Sequence, residues 1–312
     1  MNNGRGRRAA GGNMTFELRS RKRLTRATTQ AAVLASVLCF TGVCAAHLGA
    51  QQAPPAHRPP RAFHFVQPEP INFDDHSGWT QIFDGKTLAN WDGDPSVWHV
   101  EDGAIVGVSS PEHPSGTTNI IWRGGEPANF ELKLEMKLEG AGANGGVQYR
   151  SYHVEPHPFP LPADATPQQK QRFQEREELD KKHAQWNVAG YQADFDYANK
   201  YTGQLYEQNT PRGIIAWQGQ VVATEPDKKP TLLGTVGKAE ELKSYIKPGE
   251  WNQVEIIAEG NTLTHIINGH VMAILVDTDP KYAQAKGLIA VEIEGGGNVK
   301  ISHRNIWLKI LP

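Results

Sequence analysis

The amino-acid sequence predicts an all-β fold, a sandwich of two antiparallel sheets carrying one short helical insertion. Three observations lead there. The run "FELKLEMKL" alternates strictly, with Phe130, Leu132, Leu134, Met136 and Leu138 on one side and Glu131, Lys133, Glu135 and Lys137 on the other. That is the period of a strand with one face on a core and one in water. Asp102-Gly103 and Asn268-Gly269 each separate two β-prone runs, and both dipeptides favour the positive φ angles of a two-residue type I′ hairpin turn. Further short runs, "NQVEIIAEG", "GLIAVEIEG" and "ISHRNIWLKIL", are punctuated by Gly and Asn, the layout of a sandwich.

Taken in order, the chain of 312 residues suits one all-β domain of about 200–250 residues plus extensions. Its net charge of −2 argues against nucleic acid or an anionic membrane as a partner, since neither would be attracted electrostatically. Residues 1–50 read as a signal peptide. Arg5, Arg7, Arg8, Arg19, Arg21, Lys22, Arg23 and Arg26 precede an apolar run, Ala31 to Ala46, and cleavage is expected after Ala45, Ala46 or Ala50. The run falls short of the ~20 apolar residues of a membrane span, and retention as an N-terminal anchor is the alternative. The basic lead is long, and Met14 offers a second start. Both cysteines, Cys39 and Cys44, lie in the apolar run, and Val43 is too bulky for a lipoprotein site before Cys44. An exported mature chain, periplasmic or extracellular, would then hold no disulfide, thiol nucleophile or cysteine-based metal site.

Residues 51–75 begin with six prolines in "QQAPPAHRPPRAFHFVQPEP" and read as an extended linker. The globular domain is expected over 76–312. Within it, about 163–186 is rich in helix formers, with Thr166 placed to cap and Pro167 at the first helical position. Few apolar residues and a dense charge run make it a solvated surface insertion rather than a lid beside a binding face.

The chain lacks a P-loop, a His-Glu-x-x-His, a Gly-x-Gly-x-x-Gly leading from strand to helix, and a Gly-x-Ser-x-Gly elbow. What stands out is three strands with unusual polar faces. "VAGYQADFD" carries Gln192, Asp194 and Asp196 opposite Ala189, Tyr191, Ala193 and Phe195. "GVQYRSY" carries Gln148, Arg150 and Tyr152 opposite Val147 and Tyr149. "IAVEIEG" carries Glu292 and Glu294 opposite Ile289, Val291 and Ile293. Carboxylates, amides and an arginine near aromatics bind sugar hydroxyls and stack on pyranose rings. Carboxylates at i and i+2 of a strand lie ~6.6 Å apart, near the separation of two carboxyls flanking a glycosidic bond, and they push each other's pKa apart. The same pairs also describe a solvated face or a calcium site, which keeps a divalent cation open as a cofactor. His99, His153, His157, His183, His265, His270 and His303 show no tight metal-ligand spacing, and most of them read as scattered surface histidines. Trp122 is a stacking candidate for substrate, although core or edge packing is the better reading of it and of Trp79, Trp91 and Trp98.

With these residues in view, "GWTQIFDGKTLANWDG" (Gly78 to Gly93) resembles the opening of the family known as DUF1080 or the 3-keto-disaccharide hydrolase domain. The likeness continues through "WHVEDGAIVG", "NFELKLEMKLEGAGANGGVQYRS", "GYQADFD", "YTGQLYE", "KPGEWNQVEIIAEGNTLTHIINGH" and "HRNIWLKIL", nearly all of His76 to Pro312. It implies a concanavalin-like jelly-roll sandwich, export, and cleavage of oligosaccharides or other glycosides whose sugar carries a ketone at C3. Such chemistry needs a base near C2, a partner for the ketone oxygen and an acid for the leaving oxygen. Asp194 or Asp196 could act as base or acid, Arg150 as ketone or oxyanion partner, and Gln148, Gln192 and Tyr206 as orienting groups, with Glu292 beside them. In one departure, this chain has Glu292-x-Glu294 where the family often shows Gln-x-His. Glu294 takes over the histidine's work, or substrate scope differs, or activity is lost. A non-catalytic carbohydrate-binding module and a conventional glycoside hydrolase are the competing expectations.

Overall fold

The computed structural model describes residues 72–157, 161–295 and 297–312. The expected signal peptide and most of the linker lie outside them. No described helix is long and apolar enough to cross a membrane.

Two sheets face each other. The larger, ten-stranded one runs β12 (Thr231–Thr235), β11 (Gln220–Thr224), β15 (His270–Asp277), β14 (Thr262–Ile267), β13 (Asn252–Glu259), β6 (Phe130–Glu139), β17 (Val299–Ile310), β4 (Ala104–Ser109) and β3 (Trp98–Glu101), with β1 (Thr80–Gln81) also on β17. The seven-stranded sheet runs β10 (Gly213–Ala216), β9 (Leu205–Gln208), β8 (Val188–Asp196), β7 (Asn144–His153), β16 (Leu288–Gly295), β5 (Gly116–Trp122) and β2 (Trp91–Asp92). The pairings are antiparallel as expected, except that β11 runs parallel to β15.

Alternation builds the core. Phe130, Leu132, Leu134, Met136 and Leu138 of β6 are buried with Tyr191, Ala193 and Phe195 of β8 and Ile289, Val291 and Ile293 of β16. Each buried large apolar side chain contributes roughly 1.5–3 kcal/mol. Both hairpin dipeptides adopt positive φ, 50° and 76° at Asp102-Gly103 and 49° and 79° at Asn268-Gly269, as a type I′ turn requires. The outer face of β6 departs from expectation at Lys133, which is buried. Its Nζ donates to Phe73 O and Asp75 O at 2.7 and 2.5 Å and sits 4.2 Å from the Trp79 ring centroid. Residues assigned to the linker at 73–75 thus already pack on the sheet.

The polar insertion forms α1 (Pro167–Lys182), with Thr166 as its N-cap in a reciprocal capping box with Gln169. None of its residues is buried. Its docking comes from its C-terminal end. The buried Asp94 carboxylate accepts from Lys182 Nζ at 2.8 Å and His183 Nε2 at 2.9 Å. These donors and Ser96 hold the Asp94 pKa below its ordinary value, against the effect of burial.

The histidine expectation needs correction at three positions. His183, His265 and His303 are buried, not on the surface. Desolvation holds all three pKa values low, to about 4 at His265 and about 3 at His303. His265 is fixed by Tyr149 Oη at 2.8 Å.

Candidate functional site

The outer face of the seven-stranded sheet opens into a cavity of about 290 Å³, near the lower bound of ~300–1,000 Å³ for small-ligand pockets. Its floor follows from register. Asp194 on β8 pairs with Gly146 on β7, and Gly146 pairs with Glu292 on β16. Two strand spacings therefore set the Cα atoms of Asp194 and Glu292 ~9–10 Å apart, with no side chain from the strand between them. That gap is occupied by Gln192, whose Nε2 donates to Glu292 Oε2 at 2.6 Å. A Cβ on Gly146 would lie 2.5 Å from Gln192 Nε2 and 2.6 Å from Ala193 O. Gly146→Ala is expected to break this bridge and destabilise the fold by about 1–3 kcal/mol, read as a lowered melting temperature together with reduced activity.

Each carboxyl has a defined environment. Asp194 Oδ2 accepts from Gln204 Nε2 at 2.6 Å. Burial, opposed by that bond and aided by the charges of Glu294 and Asp196, raises the Asp194 pKa to about 7. Glu292 accepts from Gln192 and, at 2.9 Å, from Gln208 Nε2. Burial, with Glu294 and Asp194 adding repulsion, pushes it well above the ordinary carboxyl range. Glu294 lines the cavity and accepts from Asn144 Nδ2 at 2.6 Å. The Tyr206 hydroxyl, also on the wall, is held protonated by burial and by the nearby carboxylates. A carboxyl poised near neutrality beside one pushed well above the ordinary carboxyl range is an arrangement for acid–base work.

The structure thus brings together Asp194, Gln192, Tyr206, Glu292 and Glu294 and separates the other candidates. Arg150 sits in a β-bulge, where register shifts between Tyr149 and Tyr152 and its φ is 45°. The bulge turns its side chain off the polar face. The buried guanidinium donates to Ala128 O, Gly260 O, Gln284 O and Asn129 Oδ1, so it ties loops together. Asp196 ends β8 and folds the next turn, its carboxylate accepting from the backbone N–H groups of Lys200, Tyr201 and Thr202. Gln148 lies beneath the floor, fully buried, and donates to Gln192 Oε1 at 3.0 Å. It orients the bridging amide instead of meeting a ligand. Trp122 packs at the sheet edge between Trp91 and Ile289. Its ring lies against Gly124, where a Cβ would come within 2.1 Å, and it is not among the cavity-lining residues.

Sequence reasoning missed several wall residues. Gln204 and Gln208 hold the two shifted carboxyls, and the signal was the amide and aromatic run "YTGQLYEQ". The insertion also contributes Arg176, Asp180 and His183 to the wall, so it borders the cavity, against the expectation of a decoration. Among the described residues no group of three or more His, Cys, Asp or Glu is arranged to hold a metal ion.

The sequence profile of the 3-keto-alpha-glucoside-1,2-lyase-like domain matches residues 78–309. The chain is 36% identical over 87 residues to a 3-keto-disaccharide hydrolase of Bacteroides thetaiotaomicron, a match covering 26% of this chain and 30% of that protein. Among solved structures, a Parabacteroides distasonis ATCC 8503 protein described as a candidate glycosyl hydrolase shares 19% identity at a TM-score of 0.42, covering 76% of this chain and 95% of that one. The carbohydrate-binding module CBM66 from Bacillus subtilis shares 11% at 0.39, covering 74% and 95%. The profile spans most of the described sandwich, both shifted carboxyls included, and on that match the chain belongs to the family of 3-keto-alpha-glucoside-1,2-lyase-like domains.

Proposed function

We propose that the protein is an exported carbohydrate-active enzyme that cleaves the glycosidic bond of 3-keto-glycosides. The observation that carries this reading is Asp194, a buried carboxyl with a pKa near 7 on the wall of an amide-rich cavity, across Gln192 from Glu292, whose pKa burial pushes well above the ordinary carboxyl range.

A ketone at C3 acidifies the hydrogen on C2. Ionised Asp194 takes that proton, and the electron pair moves into C2–C3 as the ketone oxygen becomes an enolate. The pair then returns: the ketone re-forms, C1=C2 forms and the C1–O bond breaks, with the Glu292 proton passing to the departing oxygen. Water next adds across C1=C2. Glu292 takes a proton from the water as its oxygen bonds to C1, and Asp194, whose carboxyl proton exchanges with solvent while the C1=C2 intermediate is bound, delivers a proton to C2. Both carboxyls end as they began, and the sum is hydrolysis. Gln192 and Gln208 hold Glu292, Gln204 holds Asp194, and Tyr206 orients the sugar. Glu294, standing where the family often has histidine, acts by charge: its proximity raises both partners.

The test is to incubate the purified protein with p-nitrophenyl α-glucoside and with its 3-keto derivative. Release of p-nitrophenol from the keto sugar alone is expected. Release from the plain sugar would make the protein a conventional glycosidase, and binding of both without release would make it a carbohydrate-binding module.

A further inference from the structure

The elimination develops negative charge on the former ketone oxygen, and Arg150, the sequence-level candidate to meet it, is committed to loop carbonyls. Among the described residues lining the cavity, Arg176 of α1 is the one Arg or Lys. It shares the wall with Asp194, Glu292 and Glu294, and its Nε lies 3.9 Å from Asp180 Oδ2. Arginine keeps its charge at any working pH and presents a planar fork of donors.

The helix that carries it has no evident role in building the core. None of its residues is buried, yet its position is fixed at two points. Asp94 clasps Lys182 and His183, and Leu179 lies on Gly116, where an added Cβ would approach Leu179 Cβ to 3.3 Å. His183, the clasped residue that also lines the cavity, follows Arg176 by seven residues, two helical turns, and so holds that face of the helix at the cavity. A surface helix that contributes nothing to the core but is anchored by a buried carboxylate at the wall of a cavity is placed for the site.

We infer that the insertion is a catalytic element, with Arg176 donating hydrogen bonds to the enolate oxygen of a bound 3-keto-glycoside. This rests on the 3-keto reading above. When Asp194 removes the C2 proton, the electron pair resides on the C3 oxygen until C1–O breaks, and Arg176 stabilises that charge without gaining or losing a proton. Asp94 acts through the helix as a positioning residue.

The experiment measures kcat and KM on the 3-keto substrate for the wild type, Arg176→Gln and Arg176→Lys, together with thermal melts. Arg176 is about half exposed, so both variants should melt with the wild type. Loss of one donor to a developing oxyanion lowers kcat by about 10²–10³-fold, and that fall is expected in Arg176→Gln with little change in KM. Arg176→Lys, which keeps the charge and loses the fork, should retain more activity. An Arg176→Gln enzyme with wild-type kcat, or with only a raised KM, overturns the inference while leaving the 3-keto reading intact. A wild type that does not cleave the keto sugar removes both.

Discussion

Asp194→Asn should abolish turnover and leave a folded protein whose stability gains on the wild type as the pH rises. Loss of a positioned base costs about 10²–10⁴-fold in rate, and asparagine retains an oxygen for Gln204 Nε2. In the wild type, kcat/KM should rise with pH through a midpoint near 7, where the Asp194 carboxyl ionises. The stability consequence has the opposite sign. A carboxyl whose pKa is raised from 3.8 to about 7 by folding favours the folded state in its protonated form. Its contribution is whole below about pH 4 and is lost as the pH climbs through 7. Above that, the ionised group costs roughly 4 kcal/mol relative to the low-pH condition. Asp194→Asn removes this dependence, so melts recorded from pH 4 to 8 should show the variant gaining on the wild type as the pH rises. A variant with full activity, or one that tracks the wild-type pH dependence of melting, would remove Asp194 from its assigned role.

Arg150→Ala should do the reverse, crippling the fold and sparing the chemistry. Its guanidinium is buried and donates to three carbonyls and the Asn129 amide oxygen. Removing it leaves those acceptors without their donor, at ~1–3 kcal/mol each where water cannot replace it, and opens a void. A loss of about 3–5 kcal/mol is expected, which for a domain of this size lowers the melting temperature by roughly 6–20 °C. Assayed well below its melting point, the variant should keep a kcat within a few-fold of the wild type. A stable Arg150→Ala protein with a collapsed kcat would restore Arg150 to the site.

These two residues show what the sequence made legible and what it hid. Alternation located Gln192 and Asp194 on β8 and Glu292 and Glu294 on β16, because both strands stay regular where those residues lie. The same reasoning failed for Arg150, since a bulge resets the period at Arg150 and Ser151. The chain held a trace of it: Gly190 on β8 and Gly287 just before β16 flank the bulge. A Cβ would lie 2.7 Å from Ser151 Cα at Gly190 and 2.5 Å from the Arg150 carbonyl carbon at Gly287. Asp196 obeyed the alternation, but the β8 strand ends there and its carboxylate serves the following turn. The insertion was misread because helix charge runs usually face solvent. Its place on the wall depends on Asp94, more than seventy residues before its docking end, a pairing no local pattern reveals. The buried histidines were hidden for the same reason, their burial being decided by packing between strands distant in sequence.

The central claim is that a carboxylate takes the C2 proton before the glycosidic bond breaks. Turnover of the 3-keto-glucoside in D₂O, followed by NMR of the released 3-keto sugar, tests it most directly. Elimination followed by hydration predicts solvent deuterium at C2 of the product, absent from unreacted substrate incubated without enzyme. A product formed by the wild-type protein with its original hydrogen fully retained at C2 would contradict the account and point to direct displacement at C1.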